Sequence, residues 1–221
     1  QEVDQHFYHL LGHSNFRKNF YISYACCQAR EKEVNKDEIG MLILVNRRQY
    51  FVSKSLNGKI NNPEERKEYP LLKIHGDPSG FIGFNHLTIK DEVEIGNIKK
   101  LSQILIVEKN HHPFILINCH LEGSPDKQDL RIAQFKHCCQ IAQNCITKFN
   151  LENRLLIGGD FNDPSQRDIC NKYLLDIPFK LKLLNTKPEY TSNLRFQKNP
   201  DTKQWYTLNR KEKLDYLIGN V

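Results

Sequence analysis

Several apolar runs in this chain end in side chains able to do chemistry. The fullest example is Leu155-Leu156-Ile157-Gly158-Gly159-Asp160-Phe161-Asn162, where a carboxylate and a carboxamide follow two glycines. If strand geometry continues there, the i and i+2 spacing puts Asp160 and Asn162 on one face and turns Phe161 toward the core. An Asp can accept a proton from water or hold a cation, and an Asn can orient a water or a phosphate oxygen. The glycines would let a phosphate or metal come close to the backbone. The same residue types also make an Asx-rich turn with no chemistry at all.

A second run, Phe114 to Cys119, ends at His120 and is followed by Leu121-Glu122-Gly123. A lone His at a strand end is more often structural than functional. Between these two runs, however, lies one helical stretch. A helix crossover can make two strands parallel and bring their C-terminal ends to one edge, where ligands bind in α/β architectures. The third run is Lys213-Leu214-Asp215-Tyr216-Leu217-Ile218. A carboxylate within an apolar strand costs stability unless it is hydrogen-bonded or paired, either with a nearby Lys or Arg or with a bound cation. The fourth feature, Gln1-Glu2-Val3, carries no signal when read alone.

The elements that must position these groups follow from periodicity. Asp4 to Leu11 reads as a short helix, and Ile39 to Val45 as a buried strand with Tyr50 to Leu56 as its antiparallel neighbour across Asn46-Arg47-Arg48. Asn57 to Asp77 reads as a long surface loop. Ser102 to Glu108 and Pro113 to Leu121 form a hairpin around Lys109-Asn110-His111-His112. From Asp129 to Phe149 apolar residues recur at Ile132, Phe135, Cys139, Ala142, Cys145 or Ile146, and Phe149, the period of an amphipathic helix. Arg154 to Ile157 is a strand, Ser165 to Leu175 a helix, and Lys213 to Val221 a strand. Phe196, Trp205 and Tyr206 fall in a loop before Asp215, where they stack on bases or pack internally.

With 221 residues, 39% of them hydrophobic and 26% charged, the chain is an ordinary globular sequence long enough for one sizeable core. Its apolar runs are strand-sized, which argues against a membrane protein. The formal charge of +6 is compatible with a polyanionic partner and equally with a solvated lysine surplus. Seven cysteines without Cys-x-x-Cys spacing point to buried free thiols and an intracellular, cytoplasmic setting.

Taken in order, Gln1-Glu2-Val3, Asn118-Cys119-His120-Leu121, Gly159-Asp160-Phe161-Asn162 and Leu214-Asp215-Tyr216 resemble the motifs of the endonuclease/exonuclease/phosphatase superfamily. His120-Leu121-Glu122-Gly123-Ser124-Pro125 followed by Arg131 and Gln134, and Asp160-Phe161-Asn162-Asp163-Pro164-Ser165 leading to Tyr173, look most like its deadenylase branch. The resemblance implies an α/β (α+β) fold, a four-layer α/β/β/α sandwich of two mixed sheets flanked by helices. It also implies Mg²⁺, with Mn²⁺ as a substitute. Glu2 would be the metal ligand, His120 and Asn162 would bind the phosphate, and Asp160 would prepare the attacking water. Asp215 would support a terminal histidine. The implied function is a phosphodiesterase acting on RNA, an exonuclease releasing 5′-nucleotides from single-stranded 3′ ends. A DNA or small-molecule phosphodiesterase and an inactive RNA-binding relative are the alternatives. The superfamily's Asn-bearing strand before the Gln-Glu motif and its closing Ser-Asp-His motif have no counterpart here. The expectation is therefore a single domain over residues 1–221, truncated at both ends.

Overall fold

A computed structural model of the chain describes residues 3–13, 15–26, 39–49, 51–52, 79–83, 101–110, 112–186, 195–198, 202, 205–208 and 213–220. The chain begins with β1 (Val3–Asp4), α1 (Gln5–His13), α2 (Phe16–Asn19), β2 (Phe20–Cys26) and β3 (Ile39–Asn46). It continues through β4 (Phe51–Val52), β5 (Ser79–Gly83), β6 (Leu101–Lys109), β7 (His112–His120), α3 (Gln128–Phe149) and β8 (Leu155–Asp160). A short α4 (Gln166–Asp168) runs into a π-helical turn, Ile169–Tyr173. It is followed by β9 (Lys182–Leu183), β10 (Arg195–Lys198), β11 (Trp205–Leu208) and β12 (Asp215–Gly219).

Two sheets and their helices give the expected α/β/β/α architecture. The small sheet, ordered β1-β3-β2, is wholly antiparallel. The large one runs β4-β6-β7-β8-β12-β9, with β5 also on β6, and is mixed because β7 and β8 pair in parallel. That parallel pair requires a crossover, and α3 supplies it.

Alternation along the central strands sorts their side chains onto two cores. Ile104, Ile106, Ile115, Ile117, Cys119, Leu155, Ile157 and Ile218 pack under α3 with its Phe135, Cys138, Cys139, Ala142 and Ile146. Leu105, Val107 and Phe114 point the other way, against Ile43 and Val45 of the small sheet. Strand residues buried on both faces explain why β6 and β7 read as nearly continuous apolar runs. Helix α3 ends at Asn150, whose left-handed φ of 51° lets its N–H and that of Leu151 return to the carbonyl of Ile146.

Two sequence expectations change. The antiparallel neighbours of β3 are β1 and β2, while Phe51 and Val52 pair with Glu108 and Val107 of β6. Both edges of β3 are taken, so the chain after the Arg47 turn crosses to the large sheet. There β4 and β5 occupy successive stretches of one edge of β6. The segment 195–208 contains an antiparallel hairpin, with Lys198 in register with Trp205, in place of a loop. The expected loop from Asn57 to Asp77 lies outside the described residues.

Among the described residues five thiols are free: Cys119, Cys138 and Cys139 are buried, Cys145 is partly buried, and Cys170 is exposed. Burial pushes the Cys138 and Cys139 thiols well above their ordinary value and the Cys145 thiol up to about 11. A thiol held neutral in the fold contributes stability below its unfolded value, near 9.0, and that contribution is lost as pH rises above it. Urea midpoints are therefore expected to fall steadily from about pH 9 upward. In the native state Cys170 should react with a thiol reagent while Cys138 and Cys139 resist until global unfolding. Phe135→Ala, which empties the centre of the helix-side core, should cost about 3–5 kcal/mol in the same titration.

Candidate active site

Three of the singled-out residues stand in a single row across the large sheet. His120 of β7 is the register partner of Asp160 of β8, and Asp160 is the partner of Asp215 of β12. Register partners on adjacent strands present their side chains to the same face, with strands about 4.8 Å apart. Their sequence neighbours settle which face this is. Cys119, Leu121, Phe161 and Tyr216 all belong to the core under α3, so His120, Asp160 and Asp215 point away from it, toward the small sheet's side. All three are partly exposed.

One row deeper stand Asn118, Gly158 and Leu217. Asn118 donates through Nδ2 to the carbonyl of Leu42 in β3 at 3.3 Å, joining the two sheets just below the functional row. Gly158 has no side chain, and the space is taken by Leu217, whose Cδ1 lies 3.1 Å from where a Cβ would stand.

Asn162 reaches the site by a route that differs from the sequence reading. The strand ends at Asp160, and Asn162 adopts a left-handed φ of 52°. The two groups are joined by an Asx-type hydrogen bond, the Asn162 N–H donating to Asp160 Oδ1 at 2.7 Å. The Asn162 Nδ2 group then donates to the Leu121 carbonyl at 2.9 Å, next to Gly123. Gly159, at φ 137°, occupies backbone space that other residues rarely enter, one residue before the strand ends. Thus the turn reading and the site reading describe the same atoms.

A polar network that sequence reasoning did not assemble supports this corner. Asp163, 2% exposed, accepts from the Ser165 N–H, from Gln128 Nε2 at 2.9 Å and from the Tyr173 hydroxyl at 3.0 Å. Burial first, and the Asp163 charge second, push the Tyr173 hydroxyl far above its ordinary value, so it remains a donor. Gln128 also donates to Asp168, which holds that carboxyl below its usual range, with Lys172 assisting. The available signal was modest: polar Gln128, Arg131 and Gln134 recur every three residues at the start of an amphipathic helix.

At the far side of the row, Asn185 secures β12. Its Nδ2 donates to the Asp215 carbonyl and its Oδ1 accepts from the Leu217 N–H, while its own carbonyl accepts from Lys213 Nζ. The Lys213 ammonium also lies 5.5 Å from the centre of the Tyr216 ring.

Asp160 and Asp215, which are register partners, and Asn162 two residues on carry the oxygen donor types that a hard divalent cation takes. Among the described residues no group of three His, Cys, Asp or Glu side chains is gathered closely enough to hold one. Glu2, the expected metal ligand, lies outside the described residues, adjoining Val3, which pairs with Gly40. No helix among the described residues is long and apolar enough to cross a membrane.

No family model matches the chain, and no curated protein matches it by sequence. Solved structures do. The human nocturnin catalytic domain with bound sulfate superposes with a TM-score of 0.63 at 16% identity, over 99% of this chain and 66% of that one. ANGEL2, a 2′,3′-cyclic phosphatase, gives 0.63 at 10% identity over 100% and 68%. TDP2 of D. rerio, complexed with a single-strand DNA product, gives 0.54 at 13% over 100% and 68%. The chain spans about two thirds of the length of each of these structures. At these identities the likeness is one of fold, and the chain has the fold shared by nocturnin, ANGEL2 and TDP2.

Proposed function

We propose that this protein is a metal-dependent phosphodiesterase acting on single-stranded RNA, removing 5′-nucleotides from a 3′ end. The observation that carries the reading is the register that aligns His120, Asp160 and Asp215 on one sheet face with Asn162 tied to Asp160. Two neighbouring carboxylates repel one another, and a cation or a proton in transit relieves that repulsion. A bound Mg²⁺, with Mn²⁺ as a substitute, would supply charge neutralisation at the phosphate and its leaving oxygen.

The chain's own groups divide the remaining work. Asp160 accepts a proton from the attacking water, with its carboxylate oriented by the Oδ1 bond from the Asn162 N–H. The Asn162 carboxamide spends one Nδ2 hydrogen on the Leu121 carbonyl, which fixes its plane and leaves a donor and an acceptor for the water and the phosphate. His120 donates to a phosphate oxygen from the neighbouring strand. Asp215 balances positive charge at the other end of the row, and Glu2 serves as metal ligand.

The RNA assignment rests on the resemblance of the segments around His120 and Asp160 to the deadenylase branch, with which the basic balance of the chain is compatible. The DNA product recorded with D. rerio TDP2 and the cyclic phosphatase activity named for ANGEL2 define the competing substrates.

Turnover should be measured with Mg²⁺ on poly(A) RNA, single-stranded DNA, a 2′,3′-cyclic nucleotide and a generic phosphodiester. Poly(A) shortening from the 3′ end with release of 5′-nucleotides is expected; preference for any other member of the panel would replace the RNA assignment. Chelation should abolish turnover and Mg²⁺ should restore it. Asp160→Asn should lower kcat about 10²–10⁴-fold with an unchanged unfolding midpoint. Retained activity in that variant would remove Asp160 from the role of base. Asn162→Gly offers a cleaner test of the carboxamide than alanine, since glycine accepts the left-handed φ. It should keep the fold and lose about 10²-fold in kcat.

A further inference from the structure

Helix α3 presents Gln128, Arg131 and Gln134 toward the two segments that leave β7 and β8, and Arg131 is the centre of that stripe. Arg131 is 3% exposed. Nη1 donates to the carbonyls of Ser124 at 2.6 Å and Glu122 at 3.4 Å, and Nη2 to that of Pro125 at 3.4 Å. Gln134, fully buried, accepts the Glu122 N–H at 2.8 Å. The Glu122 carboxylate closes the same loop on itself through the Ser124 N–H and hydroxyl. The segment from Leu121 to Pro125 is thus held from the helix side. Its first carbonyl, that of Leu121, is the acceptor for Asn162 Nδ2.

The second segment is held by the same stripe. Gln128 donates to Asp163, whose other partner is the Tyr173 hydroxyl. Arg131 acts on that hydroxyl too, opposing the upward push of burial and of Asp163. One buried cation therefore holds the segment after His120, whose Leu121 carbonyl in turn holds Asn162.

This arrangement is poor value as a source of stability. A buried guanidinium held by neutral carbonyls bears its desolvation cost without a matching anion among these partners, and its Nε has no hydrogen-bond partner among the described residues. An apolar side chain of similar volume is often neutral or stabilising at such a position. What the guanidinium supplies, and an apolar chain cannot, is a planar fork that fixes several carbonyls in relative orientation.

We propose that Arg131 is a positioning residue: by clamping the Leu121–Pro125 segment it fixes the plane of the Asn162 carboxamide and the placement of His120. The proposal rests on the phosphodiesterase reading for its catalytic consequence, while the positioning itself is testable without turnover. Arg131→Lys and Arg131→Met, with Gln134→Met as a separate cut in the same clamp, should be compared with the wild-type full chain. Hydrogen exchange of the Asn162 side-chain amide by NMR reports the positioning, and Mg²⁺-dependent hydrolysis of bis(p-nitrophenyl) phosphate reports its consequence.

The expected result is exchange at least about tenfold faster and kcat lowered about 10–100-fold with KM within about threefold. Lysine should not rescue, because it keeps the charge and loses the fork. A folded Arg131→Lys protein with wild-type Asn162 exchange and wild-type kcat overturns the proposal. Should the Arg131 variants fail to fold, Gln134→Met decides, and unchanged Asn162 exchange there overturns it as well. A wild-type chain without turnover on any phosphodiester refutes the phosphodiesterase reading alone, and the amide exchange still decides the positioning.

Discussion

The parallel pairing of β7 with β8 is the constraint on which the site depends. Its register sets Ile115 beside Leu155, Ile117 beside Ile157 and His120 beside Asp160. Because side chains alternate, a slip of one residue on either strand would bring one of the two polar groups under α3 and expose an apolar neighbour. Burial of Ile115, Ile117, Leu155 and Ile157 at 0% exposure makes that slip costly. The apolar core thereby sets an imidazole and a carboxylate side by side. The antiparallel partner β12 extends the row by one position through the same logic, with Tyr216 and Ile218 buried and Asp215 turned outward.

Helix α3 carries two demands at once. Most of its length follows the rule for a core helix, with Phe135, Cys138, Cys139, Ala142 and Ile146 against the sheet. Its first two turns depart from that rule, burying Arg131 and Gln134 and directing Gln128 at Asp163. Those turns lie beside the ends of β7 and β8, where the strands stop and the chain leaves the ladder. Backbone groups freed there need partners from elsewhere, and the helix supplies them in place of water. The aromatic cluster of Phe135, Phe161, Tyr173 and Tyr216, with neighbouring ring centres about 6 Å apart, seals the same corner from beneath.

How much of this was legible in the sequence depended on how local the information was. The β6–β7 hairpin, α3 and β8 are long, periodic and close in sequence, and their reading agrees with the structure. Asp160 and His120 could be brought together because one helix separates their strands. The partner of β3 could not be found the same way: adjacency in sequence favoured 50–56, whereas the edge was already occupied by Phe20–Cys26, a short aromatic-rich run that was passed over. Periodicity records which face a residue takes and says nothing about which strand lies beside it. The left-handed turn at Asn162 was likewise hidden, since Asp-x-Asn suits both a continuing strand and an Asx turn. Arg131 and Gln134 entered only through resemblance, because no local rule assigns a buried cation to the carbonyls of a loop.

The functional row also explains why so much buried polar structure surrounds it. Adjacent carboxylates at positions 160 and 215 are an unfavourable cross-strand pair by themselves, as like charges placed opposite one another in a sheet repel. A fold that keeps them must tie down the backbone on both sides, or the strands would splay at this end. On one side the ties are Asn185 across β12; on the other they are the Asp160–Asn162 turn and the clamp from α3. Below, Asn118 fastens the sheets to each other. The polar scaffold thus resists the repulsion that the row creates and keeps its strands in register.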